Sequence, residues 1–230
     1  MIEHKVDGRA AHITINRPDE GNAFTSAMVA DLRDLLRKLD GQVDVVTLCG
    51  AGNDFTLGRD RKEPKSGTPF DAFSLVTALN QSLADFSGVI IAGIKGQVHG
   101  MGLGLVMRSD LAIATPSATF ELDEVKLGIP PMFIMAAIFD HMPPKQALDM
   151  VLTGRVLSAK EALEHGILSR VVEAGAFETA LNDIVAGLLA SDRETLLACK
   201  RYAKAVVTTP IPARPSFALV EQTQFALRKH

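Results

Sequence analysis

A glycine-rich segment, residues 95–104, follows directly on an unbroken apolar run, residues 89–94, and constrains the fold more than any other part of the chain. Its four glycines allow a tight turn or a close approach of the backbone to another group. The apolar continuation predicts a helix that begins near Met101. Its first amides would have no partners, and the helix dipole would add positive potential there. The segment predicts either a plain strand-to-helix turn or a holder for a carbonyl oxygen that gains negative charge.

A second strand-and-glycine unit lies upstream. The β-branched run at residues 43–48 predicts a buried strand, which leads into a loop with glycines at positions 50, 52 and 58 and a charged end at residues 59–63. Such a loop is ordinarily a surface connection. Two units of this kind, one on each side of a predicted helix, can also build a site from two backbone donors.

Short motifs along the chain have the order and spacing of a known family. They are residues 16–18, 22–24, 50–52, 55–60, 96–104, 109–114, 118–120, 124–128, 152–154, 158–162 and 166–172. With them the chain resembles the crotonase (enoyl-CoA hydratase/isomerase) superfamily. The resemblance implies an α/β fold of repeated β-β-α turns with a helical C-terminal region, and a substrate carried as a coenzyme A thioester without a permanently bound cofactor. It also implies an oxyanion hole built from the backbone amides of Arg59 and Met101.

A proton-moving reaction beside a thioester also needs an acid or a base. In the hydratases of this superfamily two glutamates share that work, and their positions fall on Gly104 and Glu124 here. One carboxylate is therefore missing. The remaining pattern is similar to that of the Δ3-Δ2 enoyl-CoA isomerases, so the sequence favours an isomerase over a hydratase.

Glu124 is the predicted base, and its apolar neighbours should raise its pKa by desolvation. The alternative is a solvated acidic turn, because Glu121 and Asp123 lie in the same short segment. If that segment is extended, Asp123 and Glu124 face opposite ways and only one of them can enter a pocket.

His99 adjoins Gly100 and could act as an acid, orient a water molecule or only pack in the fold. The superfamily motif assigns no catalytic histidine to this position. The other histidines show neither metal-ligand spacing nor a paired carboxylate motif; they are His4, His12, His141, His165 and His230. The sequence predicts no metal site.

The resemblance also implies contacts with coenzyme A. It places Arg17, Lys62 and the backbone around Ala23 near the nucleotide end, and solvated surface charge is the alternative for both cations. Further candidate positions for coenzyme A are Phe24, Gly58, Asp60 and Gly100. The pocket for the acyl group is predicted to be lined by apolar residues, among them Phe70, Phe73, Met132 and Phe133.

Composition predicts an intracellular enzyme, and the resemblance implies that its partner is an acyl-CoA. A formal charge of −3 and 22% charged residues argue against the basic surface that nucleic acids require. Two cysteines indicate free thiols in a reducing compartment. The first residues lack the pattern of a signal peptide, and no uncharged apolar stretch reaches the roughly 18 residues of a membrane span. The sequence therefore predicts a cytoplasmic location without membrane contact.

The chain divides into a predicted acyl-CoA-binding core, residues 1–174, and a helical C-terminal region, residues 175–230. The resemblance implies a homo-oligomer, either a trimer or a dimer of trimers, that the final helices help to assemble. An apolar side on the last helix would need another element or a partner chain to cover it.

Two other functions remain open from the sequence. One is a thioester decarboxylase or hydrolase that uses the same oxyanion hole. The other is a non-catalytic acyl-CoA-binding scaffold that kept the fold without the carboxylate at position 104.

Overall fold

The computed structural model describes residues 1–64 and 66–228, so His230 lies outside the described residues. The strands are β1 Ile2–Asp7, β2 Ala10–Ile15, β3 Val45–Gly50, β4 Val89–Ile94, β5 Gln97–His99, β6 Leu111–Ala114, β7 Thr119–Glu121, β8 Leu157–Ser158 and β9 Arg170–Val171. The helices are α1 Ser26–Leu39, α2 Pro69–Asp85, α3 Met101–Arg108, α4 Met132–His141, α5 Pro144–Thr153, α6 Ala159–Glu164, α7 Phe177–Ala190, α8 Arg193–Thr208 and α9 Arg214–Arg228.

A large sheet has the strand order β1-β2-β3-β4-β6-β9, and a small sheet has the order β5-β7-β8. In the large sheet β1 and β2 form an antiparallel hairpin, and every pairing from β2 onward is parallel. Every residue of β4 is buried, as its unbroken apolar run requires for a strand covered on both faces. The apolar side of α1 packs on one face, and α7 covers the other with Phe177, Leu181, Ile184 and Val185.

The chain runs through three successive turns of the same kind. Each turn has a strand of the large sheet, then a short extended segment at the small sheet, and then a helix. The first is β3, the bridge at Thr56 and α2; the second is β4, β5 and α3; the third is β6, β7 and, after a 3₁₀ helix, α4. The predicted α/β fold of repeated β-β-α turns with a helical C-terminal region is confirmed.

The acidic segment differs from the sequence expectation. Asp123–Leu127 is a 3₁₀ helix and not an extended strand. Side chains in a 3₁₀ helix repeat every three residues, so neighbours point about 120° apart and do not alternate between two opposite faces. The condition for strict alternation between Asp123 and Glu124, an extended segment, is therefore not met, although the two side chains still point in different directions.

An ion pair attaches α8 to the rest of the chain, and a ring contact joins α8 to α9. Lys200 of α8 pairs with Asp110 at 2.7 Å, and Tyr202 of α8 stacks on Phe217 of α9 with ring centroids 5.3 Å apart. Leu219 of α9 remains 70% exposed, so part of this helix has an uncovered apolar side. The division near residue 174 and the homo-oligomer stay predictions. Within the two described ranges, no helix has both the length and the apolar character needed to cross a bilayer.

Candidate active site

Three segments from the successive β-β-α turns lie side by side at the small sheet. His99 donates its backbone N–H to the Thr56 carbonyl at 2.9 Å, and Thr56 forms a parallel bridge with Val98. On the other side, β5 pairs with β7, and the Gly100 amide donates to the Glu121 carbonyl at 3.1 Å. The fold therefore brings together the two glycine loops and the acidic segment, which are far apart in sequence.

Gly58 allows the two glycine loops to touch. A Cβ atom at this position would lie 2.9 Å from the His99 carbonyl oxygen and 3.5 Å from the Met101 nitrogen. The backbone of Gly58 also has φ +82°, a conformation that favours glycine. A side chain here would push the Arg59 and Met101 amides apart.

Phe24 holds the first loop in place from its other side. It donates its N–H to the Gly58 carbonyl at 2.7 Å and accepts from the Asp60 N–H at 2.9 Å. Because neighbouring residues of an extended segment direct their backbone groups to opposite sides, the Arg59 amide faces away from Phe24. Phe24 is fully buried, so this clamp is rigid.

The Arg59 and Met101 amides donate to no acceptor within residues 1–64 and 66–228. Met101 is the first residue of α3, as predicted, and its N-cap, Gly100, has no side chain to cap the helix. An amide without a partner is costly unless water or a ligand accepts from it. The two donors predicted to form an oxyanion hole are therefore free for a substrate oxygen, with the positive end of the α3 dipole behind one of them.

The side chain of Arg59 turns away to the start of α1. Its Nη2 donates to Ser26 Oγ at 2.9 Å and pairs with Glu63 at 3.1 Å. Glu63 in turn accepts from the Ser26 backbone N–H. Arg59 thus contributes its backbone N–H to the predicted site and uses its side chain to fix the loop.

Glu124 lies against the turn that presents the Met101 amide. A Cβ atom at Gly100 would be only 2.4 Å from Glu124 Oε1, so glycine is required for this approach. Glu124 Oε2 is buried and has no hydrogen-bond partner in the described chain. Burial is the main reason that the pKa of this carboxyl is raised; the negative charge of Asp123 adds to it, whereas the backbone N–H of Glu124 and the charge of Arg61 oppose it. A raised pKa makes this carboxylate a better proton acceptor, as a general base requires.

The two neighbouring carboxylates are engaged in ion pairs. Asp123 pairs with Arg61 at 2.6 Å, and Glu121 pairs with Lys126 at 2.8 Å. The pKa of Asp123 is lowered because the hydrogen bond and charge of Arg61 outweigh its burial. Of the three carboxylates of this segment, Glu124 is the one that has no ion pair in the described chain.

Raising the pKa of a buried carboxyl has a consequence for stability. The Glu124 carboxyl has a lower pKa in the unfolded chain than in the folded chain. Between these two pKa values the folded chain holds the proton more strongly, so the free energy of unfolding falls as the pH rises. We expect Glu124→Gln to melt at a higher temperature than the wild type at neutral pH, and the difference to shrink towards about pH 4. Thermal melts across this range test it. A difference that does not change with pH would contradict the burial of this charge.

His99 lies beside the site with 18% of its side chain exposed. Its Nε2 is 3.9 Å from Glu121 Oε2, which is too long for a hydrogen bond. A catalytic role for His99 stays a prediction. Within the described ranges, no three His, Cys, Asp or Glu side chains are grouped as metal ligands.

The cations predicted to bind coenzyme A have partners inside the chain. Arg17 Nη1 pairs with Asp60 at 2.7 Å and donates to the Ala23 carbonyl at 3.0 Å. Lys62 pairs with Glu20 at 2.9 Å. These contacts join the first loop to the segment before α1, and binding of coenzyme A by Arg17 and Lys62 stays a prediction.

Two residues at the site were not foreseen from the sequence. Asn22, with φ +56° and fully buried, donates to the carbonyls of Ala51 and Asp54 and supports the first loop from below. Arg108 directs its guanidinium back along α3 to Gly104. Once α3 is predicted, the four-residue spacing places Arg108 next to Gly104, because residues four apart share one face of a helix.

Fold and site together define a crotonase-type protein, with two free amides beside a desolvated carboxylate. Residues 6–224 match the family model described as enoyl-CoA hydratase/isomerase. A probable enoyl-CoA hydratase of Mycobacterium tuberculosis, EchA14, is 31% identical over 236 aligned positions, covering 97% of this chain and 86% of that protein. The chain belongs to the enoyl-CoA hydratase/isomerase family, whose members act on coenzyme A thioesters.

Solved structures agree with the fold. The enoyl-CoA hydratase of Mycobacterium smegmatis superimposes with a TM-score of 0.90 at 27% identity, covering 96% of this chain and 89% of that one. A putative enoyl-CoA hydratase of Thermobifida fusca, solved in complex with CoA, gives a TM-score of 0.90 at 24% identity, covering 99% and 93%. The relatives' names say hydratase, so the sequence preference for an isomerase gains no support from them.

Proposed function

We propose that this protein isomerises the double bond of a β,γ-enoyl-CoA to the α,β position, with Glu124 as the only carboxylate that moves protons. One observation carries the proposal. Glu124 is desolvated beside the unpaired Met101 amide, while Gly104 provides no second acid. Moving a double bond requires one group that takes and returns a proton, whereas adding water is suited to two positioned groups.

The reaction follows from the positions of these groups. Glu124 removes a proton from the α carbon of the bound thioester, and the electron pair moves to the thioester oxygen. The N–H groups of Arg59 and Met101 donate to that enolate oxygen. Glu124 then returns the proton to the γ carbon as the enolate collapses, so that the double bond now lies between the α and β carbons.

Hydration is the second candidate, because the related M. tuberculosis protein is named a probable enoyl-CoA hydratase. Incubation with a β,γ-enoyl-CoA, an α,β-enoyl-CoA and a malonyl-type thioester separates the candidates. A shifted double bond supports the isomerase, added water supports the hydratase, and loss of carbon dioxide or free coenzyme A supports a decarboxylase or hydrolase. Binding without turnover of any of the three would leave a non-catalytic scaffold.

Gly104→Glu is expected to raise the rate of hydration by about 10- to 100-fold if the missing carboxylate limits it, since one acid or base contributes about 10²–10⁴. The new Cβ would lie 3.1 Å from Ile134 Cδ1 and 3.3 Å from Arg108 Nη1, so both neighbours must move slightly. An ion pair with Arg108 would hold the new carboxylate, which is why the gain should be only partial. Hydration of an α,β-enoyl-CoA measures it.

Gly104→Gln is the matched control, because it has nearly the same volume and no charge. It should leave hydration at the wild-type level. An equal rise in both variants would assign the effect to the shape of the pocket, and no rise in Gly104→Glu would remove the argument from the missing carboxylate.

A further inference from the structure

Arg108, at the end of α3, is a partly buried cation that has no counter-charge among the residues the structure describes. Its Nη1 donates to the Gly104 carbonyl and its Nη2 donates to the Phe133 carbonyl, both at 3.1 Å. It forms no ion pair with any residue of the two described ranges. Burial lowers its pKa, and no nearby acid offsets this. Guanidinium groups removed from water are normally paired with an anion, because an uncompensated charge is expensive.

The guanidinium also has unused donors. Arginine carries five N–H groups in a planar fork, and the two carbonyls account for two of them. A carboxylate is the acceptor that this fork matches best, since two parallel hydrogen bonds can form at once. Residues 1–64 and 66–228 supply no such carboxylate at Arg108.

The position of the guanidinium places it in the site. It occupies the space beside Gly104, where a Cβ atom would be 3.3 Å from Nη1. Gly100, against which Glu124 rests, is one helical turn earlier on the same face of α3, about 6 Å along its axis. Glu124 and the Arg108 guanidinium thus lie along one face of α3, beside Gly100 and Gly104 respectively, about one turn apart.

An apolar wall adjoins the cation. The carbonyl that accepts from Arg108 belongs to Phe133 of α4, whose ring packs against Phe73 of α2 with centroids 5.6 Å apart. Phe73 is 55% exposed. Phe133 thus links the guanidinium, through its backbone carbonyl, to a partly exposed aromatic pair, through its ring.

We infer that Arg108 binds a carboxylate carried on the acyl group, so that the substrate is the coenzyme A thioester of a short dicarboxylic acid. The inference rests on the proposed function in placing the thioester at the Arg59 and Met101 amides. The carbons between the two ends lie over Glu124, and the free carboxylate forms a bidentate pair with Arg108. The substrate supplies the negative charge that Arg108 lacks within the described part of the chain.

Binding of non-reacting saturated thioesters tests this without relying on turnover. Succinyl-, glutaryl- and adipyl-CoA are each compared by calorimetry with the neutral twin of equal length, butyryl-, pentanoyl- and hexanoyl-CoA. At least one dicarboxylic thioester should bind about 10- to 100-fold more tightly than its twin, as expected for hydrogen bonds to a charged group. If none of the three exceeds its twin, the inference is overturned, whatever the behaviour of any variant.

Arg108→Met removes the charge and keeps most of the side-chain length. It should abolish the preference for the dicarboxylic thioester over its neutral twin, whereas Arg108→Lys should keep part of that preference. A preference that persists in Arg108→Met would overturn the role of Arg108. Turnover of β,γ-enoyl-CoA is scored separately: a wild type that prefers dicarboxylic thioesters but isomerises none refutes the proposed function and not this inference.

Discussion

Glu124→Gln is expected to lower kcat for isomerisation by about 10²–10⁴-fold, the contribution typical of a positioned general base. The change removes the only proton acceptor proposed for the α carbon and keeps the size of the side chain. The fold should be retained, because Glu124 Oε2 has no hydrogen-bond partner to lose in the described chain. Steady-state rates with a β,γ-enoyl-CoA measure the loss, and a melting curve confirms that the variant is folded.

Glu121→Gln is the matched control, since it makes the same chemical change three residues away. Its carboxylate is committed to Lys126 at 2.8 Å, so most of the activity should remain. A loss as large as that of Glu124→Gln would mean that the acidic segment acts through its total charge. Full activity in Glu124→Gln would show that another group is the base, and His99 would be tested next.

Local features of the site could be predicted from the sequence. The start of α3 at Met101 follows from a glycine turn between an apolar strand and an apolar helix. The pattern Ser158 followed by Glu161 predicts a capping box at the start of α6, and the structure has both of its hydrogen bonds. These signals depend on neighbours within a few residues.

Features that depend on distant partners could not be predicted in this way. Nothing near Arg17 or Lys62 in the sequence indicates that Asp60 and Glu20 pair with them. The conformation at Asp123–Leu127 is set by packing beneath α5 and around Gly100, and a short acidic segment carries no periodicity that separates a strand from a 3₁₀ helix. The lack of an ion pair at Arg108 also depends on tertiary structure, because no neighbouring element among the described residues brings an acidic side chain to it.

Met101→Pro is expected to lower kcat by about 10²–10³-fold, because it deletes one donor of the proposed oxyanion hole. The backbone should tolerate the change. Met101 is the first residue of α3, where proline is accommodated because its missing N–H had no helical partner. Gly100 has φ 49° and ψ −115°, the mirror image of the extended conformation that a residue before proline adopts, and glycine occupies both forms.

Met101→Ala is the control that isolates the amide. Both variants lose most of a side chain that is 8% exposed, so both should be destabilised by similar amounts, within about 2–5 kcal/mol. Only Met101→Pro also loses the N–H. The Met101 N–H stabilises the enolate more than it stabilises the bound thioester. The two variants should therefore differ in kcat and much less in their affinity for a saturated acyl-CoA. Equal rates for the two variants would show that the substrate oxygen does not accept from Met101, and the site would then have to stabilise its charge from Arg59 alone.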